Sequence, residues 1–347
     1  MGNRANNFDA LRLGAALSVV LTHAFLLGEG RIDIDPLMVL TGGQCPLGVA
    51  GVFVFFTISG YLVTGSCELT GSTSRFLAKR ALRIYPGLAF CLVLLAFVLG
   101  PLATSLSLGD YFADAKAYGF VAGNLTMNAD WNDLPGVRFS GWDAGHVVDG
   151  PLWSLPCEVL MYLMVASLGA LGLLRLEVIG ALFAAGLMGV ALDTAKSGLL
   201  LGSALWLLPF FAAGMALWKL RDRPIFKPWI AAAALAVLVL GSVLHLFLLT
   251  FPICGGYLVI WLARAGRSVW PAARWGDMSY GLYIYGWPAE QAVVRALGGA
   301  APWWEVLALA LPAAVALALL SWHLVEAQAL RLKPRGAQRG AALAAAR

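Results

Sequence analysis

Residues 47–67, LGVAGVFVFFTISGYLVTGSC, contain no charged side chain. At 1.5 Å per residue a helix over this stretch is about 30 Å long, the thickness of a bilayer's hydrocarbon core. A barrel strand would alternate apolar and polar positions. The consecutive apolar residues Val52–Phe56 favour a helix, which closes its backbone hydrogen bonds within itself. Gly48, Gly51, Gly60 and Gly65 offer small surfaces for close helix packing, and their spacing is not that of a phosphate loop.

Comparable runs lie outward in both directions, at about 10–28, 84–103, 151–171, 176–193, 199–218, 229–247, 250–266, 277–296 and 304–325. The least sharp division is 229–266, where Pro252 and a short polar break separate two spans. Composition agrees: of 347 residues 60% are apolar and only 12% charged, with mean hydropathy +0.79. A soluble protein carries about 25% charged residues. Soluble enzymes, disordered chains and nucleic-acid binders are therefore excluded. The expected fold is an all-α, polytopic membrane bundle of about ten transmembrane helices.

The net charge of +5 has a topological explanation. With an internal N-terminus and ten spans, all Lys and Arg except Arg31, Lys116, Arg138, Lys196 and Arg295 fall on the cytoplasmic side. This follows the positive-inside rule and puts both termini in the cytoplasm. The first span lacks a small-residue cleavage site and reads as retained. Residues 1–330 form one membrane domain with a long external loop at about 104–150, and 331–347 a short basic, Ala-rich tail. Cys45, Cys67, Cys91, Cys157 and Cys254 have no metal-type spacing, so no metal site is expected and they read as small buried hydrophobes.

With no appended soluble domain, chemistry must use ionisable residues inside the spans, which are costly there. The first span carries Arg12 and His23. Eleven residues at 100° each return to within about 20° of the same helix face, about 16 Å apart along the axis. The fourth span, PLWSLPCEVLMYL, places Trp153 at the outer interface and Glu158 about 10 Å deep, an estimated match to His23. A carboxylate can orient a histidine and help it act as a general base. The competing reading is a hydrogen-bonded pair that only holds helices together. Arg80 and Arg83, at i,i+3 before the third span, can face one phosphate or can simply fix topology. His323 and Glu326 close the last span at i,i+3, with either a functional or a packing role. The run DMSYGLYIYGWPAEQ opens the ninth span with Asp277, Ser279 and three tyrosines, as an interfacial belt or a polar channel wall.

FDALR…H at 8–23, GVFVFFTISGYLV at 51–63, RALRIYP at 80–86, PLWSLPCEV at 151–159, SYGLYIYGWP at 279–288 and HLVE at 323–326 occur in an order that resembles the acyltransferase-3 family of integral-membrane O-acyltransferases. The resemblance implies transfer of an acyl group, commonly acetyl, from cytoplasmic acyl-CoA as co-substrate to a hydroxyl of an extracytoplasmic glycan. It implies a multi-pass protein of the bacterial inner membrane, with the lipid bilayer, acyl-CoA and a sugar-bearing acceptor as partners and no nucleic acid. The family's Arg–x10–His signature falls on Arg12 and His23, its Arg-x-x-Arg signature on Arg80 and Arg83, and its Trp-Ser-Leu-x-x-Glu segment on Trp153, Ser154, Leu155 and Glu158. On this footing His23 and Glu158 are the expected catalytic residues. Arg12, Arg80 and Arg83 are expected to bind the donor, and Trp153 and Ser154 the substrate. Ala327 follows Glu326 where many members have proline, and the surface hydrolase-like domain of some members is absent. The alternative from another class is a glycan or lipid-linked precursor transporter, which would add no acyl group. Such proteins often show two related halves, and the sequence shows no such repeat.

Overall fold

The computed structural model describes residues 7–128, 130–265 and 276–333. Among them, regular structure is helical apart from one isolated bridge between Thr104 and Val137. The principal helices are α1 (Phe8–Glu29), α2 (Leu47–Thr70), α3 (Thr73–Ala103), α4 (Gly150–Ala170), α5 (Leu176–Ala191), α6 (Leu200–Lys219), α7 (Pro228–Val243), α8 (Phe247–Arg264), α9 (Met278–Ala296) and α10 (Trp303–Arg331). Each expected span coincides with one of them. Seven are long and apolar enough to cross a membrane on their own: α1, α2, α3, α4, α6, α8 and α10. Helices α5 and α7 are apolar but shorter, and α9 carries Glu290, Gln291 and Arg295 among its aromatic residues. Of the basic residues assigned to the cytoplasmic side, Arg4, Arg267, Arg274 and those of the tail from 334 onward lie outside the described residues.

In two helices of this bundle burial does not follow hydrophobicity. Helix α7, almost wholly aliphatic, buries only Ala231 and Gly241. The more polar α9 is buried over most of its length, from Ser279 through Gln291. Lipid tails are as apolar as leucine, so nothing drives aliphatic side chains inward, whereas polar side chains need protein partners.

Small residues set the central contacts. Helices α2 and α6 cross backbone to backbone. A Cβ on Gly60 would lie 2.0 Å from the Phe211 carbonyl oxygen, and one on Gly214 would lie 2.1 Å from that of Thr57. Outward of this crossing, Phe53 and Phe210 stack with ring centroids 3.7 Å apart. Helix α9 sits between α1 and α10, with Gly286 against Val20 and Gly281 against Ala318.

The long stretch at about 104–150, expected to be external, is folded. Tyr111 is buried and donates to the Ala96 carbonyl at 2.6 Å, and Trp131 packs on Gly119 and Gly123 of the short helix Ala115–Leu125. Its last part dives into the bundle before α4 begins. Trp287 donates to the Val147 carbonyl (2.9 Å), Asp149 is buried beside Cys91, and Gly150 lies flat against the Trp287 ring. A Cβ there would sit 2.9 Å from that ring, so the descent depends on glycine.

Candidate active site

Helix α1 connects two polar clusters. Near its N-terminal end, the Arg12 guanidinium lies 3.7 Å from an oxygen of Asp277, and Arg83 from α3 hydrogen-bonds the same oxygen. Asp277 is also the N-cap of α9, accepting from the Ser279 amide and hydroxyl. One carboxylate therefore organises two arginines from different helices at the start of a third. The face geometry that pairs Arg80 with Arg83 does not bring them onto one anion. Arg80 turns over the Tyr162 ring, 5.7 Å from its centroid, and its Nε has no hydrogen-bond partner among the described residues.

A narrow cavity of about 60 Å³ leads outward from this cluster, lined by Arg12, Arg83, Ser154, Glu158, Tyr162 and Tyr283. Glu158 accepts from Ser59 (3.1 Å) and Tyr162 (2.5 Å), and Ser154 bonds the Tyr283 hydroxyl at 2.7 Å. Trp153 is 36% exposed at the rim and does not line the cavity, so of the two expected substrate-binding residues only Ser154 is brought to it.

His23, eleven residues further along α1 than Arg12, does not line this cavity. Its ring meets Trp287 edge-on, with centroids 4.7 Å apart, and its Nδ1 stands 3.8 Å from a carboxyl oxygen of Glu290 on α9. The carboxylate beside the histidine is thus Glu290, while Glu158 bonds elsewhere. A depth match between Glu158 and His23 requires the fourth span to start at the membrane surface. The chain has already descended to the level of Trp287 at Gly150, so Glu158, eight residues on, lies about 12 Å deeper.

Glu326 is 3% exposed and accepts from Ser321 at 2.9 Å, whereas His323 is exposed. A wide π turn over Trp322–Glu326 lays the acid against α3, where Gly87 leaves room for Glu326 and Tyr280 together. Such turns are frequent at functional sites.

A helical membrane protein with two polar clusters along α1, one partly exposed and one enclosed, is suited to chemistry within the bundle. The chain belongs to the acyltransferase-3 family of integral-membrane O-acyltransferases: the family's acyltransferase-domain model matches residues 6–323, nearly the whole chain. It is similar to the O-acetyl transferase of Shigella phage Sf6, with 26% identity over 340 residues, 93% of this chain and 96% of that protein. It is also similar to Nodulation protein 10 of Rhizobium leguminosarum bv. viciae, with 27% identity over 364 residues, 94% of each. No solved structure matches the chain.

Proposed function

We propose that this O-acyltransferase moves an acetyl group from cytoplasmic acyl-CoA to a hydroxyl of an extracytoplasmic glycan, with His23 as general base. The carrying observation is the layout of α1, which bears Arg12 in the arginine cluster at one end of the cavity and His23 beyond its other end. Arginine forks suit the phosphates of coenzyme A, and the inner mouth is where that donor is available. Arg12 and Arg83 would exchange Asp277 for donor phosphate, and the thioester arm would extend past Ser154 and Glu158 towards Tyr283. Trp287 follows Tyr283 by one helical turn and touches His23, so the arm's reactive end and the base meet along one face of α9.

The acceptor's O–H proton passes to His23, its oxygen attacks the thioester carbonyl, and the C–S bond breaks. The coenzyme A thiolate then takes the proton back from His23. Acetyl is the group that the Shigella phage relative, an O-acetyl transferase, is named for. At about 60 Å³ the cavity is far smaller than ordinary ligand pockets of about 300–1,000 Å³, so donor entry requires the lining helices to part.

The test is His23→Ala in cells that express the protein, with alkali-labile acetate of the envelope glycans as readout. Ester content should fall to that of a deletion strain at normal expression. Unchanged ester content would remove His23 as base, and an identical ester content with and without the gene would remove acyl transfer altogether.

A further inference from the structure

Glu290 is fully buried on α9, and neither of its carboxyl oxygens has a hydrogen-bond partner among the described residues. His23 Nδ1, 3.8 Å from Glu290 Oε2, is likewise without one. The neighbours of Glu290 on the same helix are committed to the descending loop. Trp287 donates to the Val147 carbonyl, and Gln291 donates to those of Ala144 and Val147, each at 2.9 Å. Glu290, between them in sequence, instead faces His23. A carboxyl group kept bare inside a membrane bundle is expensive and points to a function.

We propose that Glu290 is the positioning residue of the transfer reaction: it accepts the Nδ1–H of His23 and so directs Nε2 at the acceptor hydroxyl. This rests on the reading of His23 as base. A neutral imidazole has one N–H, and fixing it on Nδ1 leaves the Nε2 lone pair free to take the hydroxyl proton. The carboxylate then faces the imidazolium that forms, and it keeps its own proton count unchanged while His23 returns its proton to the leaving thiolate. Trp287, edge-on to the ring, limits its rotation. The gap of 3.8 Å must shorten by about 1 Å, as catalytic hydrogen bonds commonly do when substrate is bound.

The experiment measures coenzyme A release from acetyl-CoA by the purified full-length protein, with envelope glycan extract of its source cells as acceptor. Glu290→Gln is nearly isosteric and should lower kcat by about 10²-fold or more, with KM for acetyl-CoA within about 3-fold of the unmodified protein. Glu290→Asp should recover part of that loss, and His23→Ala/Glu290→Gln should be no slower than His23→Ala, because one residue acts through the other. A Glu290→Gln protein with kcat within about 3-fold would overturn the assignment. So would losses that multiply in the double variant, or a loss that accompanies a lowered melting temperature and is not recovered by aspartate. An active His23→Ala protein would instead remove the base reading, whatever Glu290 does.

Discussion

The two ends of α1 hold charge in opposite ways. At the N-terminal end Arg12, Arg83 and Asp277 are paired, and their side chains remain 16–20% exposed. At the C-terminal end Glu290 is wholly enclosed, and neither it nor His23 Nδ1 has a hydrogen bond among the described residues. A paired cluster within reach of water can trade its internal anion for a ligand's at small cost. An enclosed, unpaired acid and imidazole lie where electrostatic interactions are strong. On the proposed reading, one end would exchange a charged ligand and the other would transfer a proton.

This contrast separates the expected defects. His23→Ala should have the largest effect, lowering kcat by about 10²–10⁴-fold with little change in the KM for acyl-CoA, read from rates of coenzyme A release. A KM defect of similar size would merge the two ends into one binding site. Arg83→Ala should raise KM for acyl-CoA by about 10–100-fold and leave kcat nearly intact, the loss of one or two charge-assisted hydrogen bonds. Asp277→Asn removes the internal competitor for the arginines, so KM should fall by about 2–5-fold. A rise would mean that Asp277 orients the arginines for the donor. Arg80→Ala should change KM by no more than about 3-fold, since its guanidinium lies over Tyr162. Equal losses for Arg80 and Arg83 would restore the pair that their spacing suggests.

What the sequence discloses follows from what is local. The span positions, and the common face of Arg12 and His23, depend only on helix rise and rotation within one segment. The partner of His23 depends on how α1 and α9 are brought together, which no spacing encodes. A signal was nevertheless present, because Glu290 is an ionisable residue inside a span and that alone marks it as a candidate. The separation of Glu158 from His23 follows from the descent of the loop through Val147–Gly150, which is set by Trp287 and Gln291, both distant in sequence. Arg80 and Arg83 do share a helix face, but Tyr162 and Asp277 draw them to different neighbours. The same limit applies to Glu326, whose burial against Gly87 comes from a wide turn that motif reading does not reveal.

The contact of Gly60 with Phe211 and of Gly214 with Thr57 has a mechanical consequence. Two helices that touch through their peptide planes can neither slide nor tilt without a clash, so α2 and α6 behave as one rigid beam. The cavity is bounded by α1 and α2, which also touch closely where Gly51 meets the Ala15 carbonyl, and by α3, α4 and α9. On the proposed reading, widening for a thioester arm would then come from α3, α4 and α9 moving against the α2–α6 frame. Any side chain larger than hydrogen at Gly60 would pry the frame itself apart.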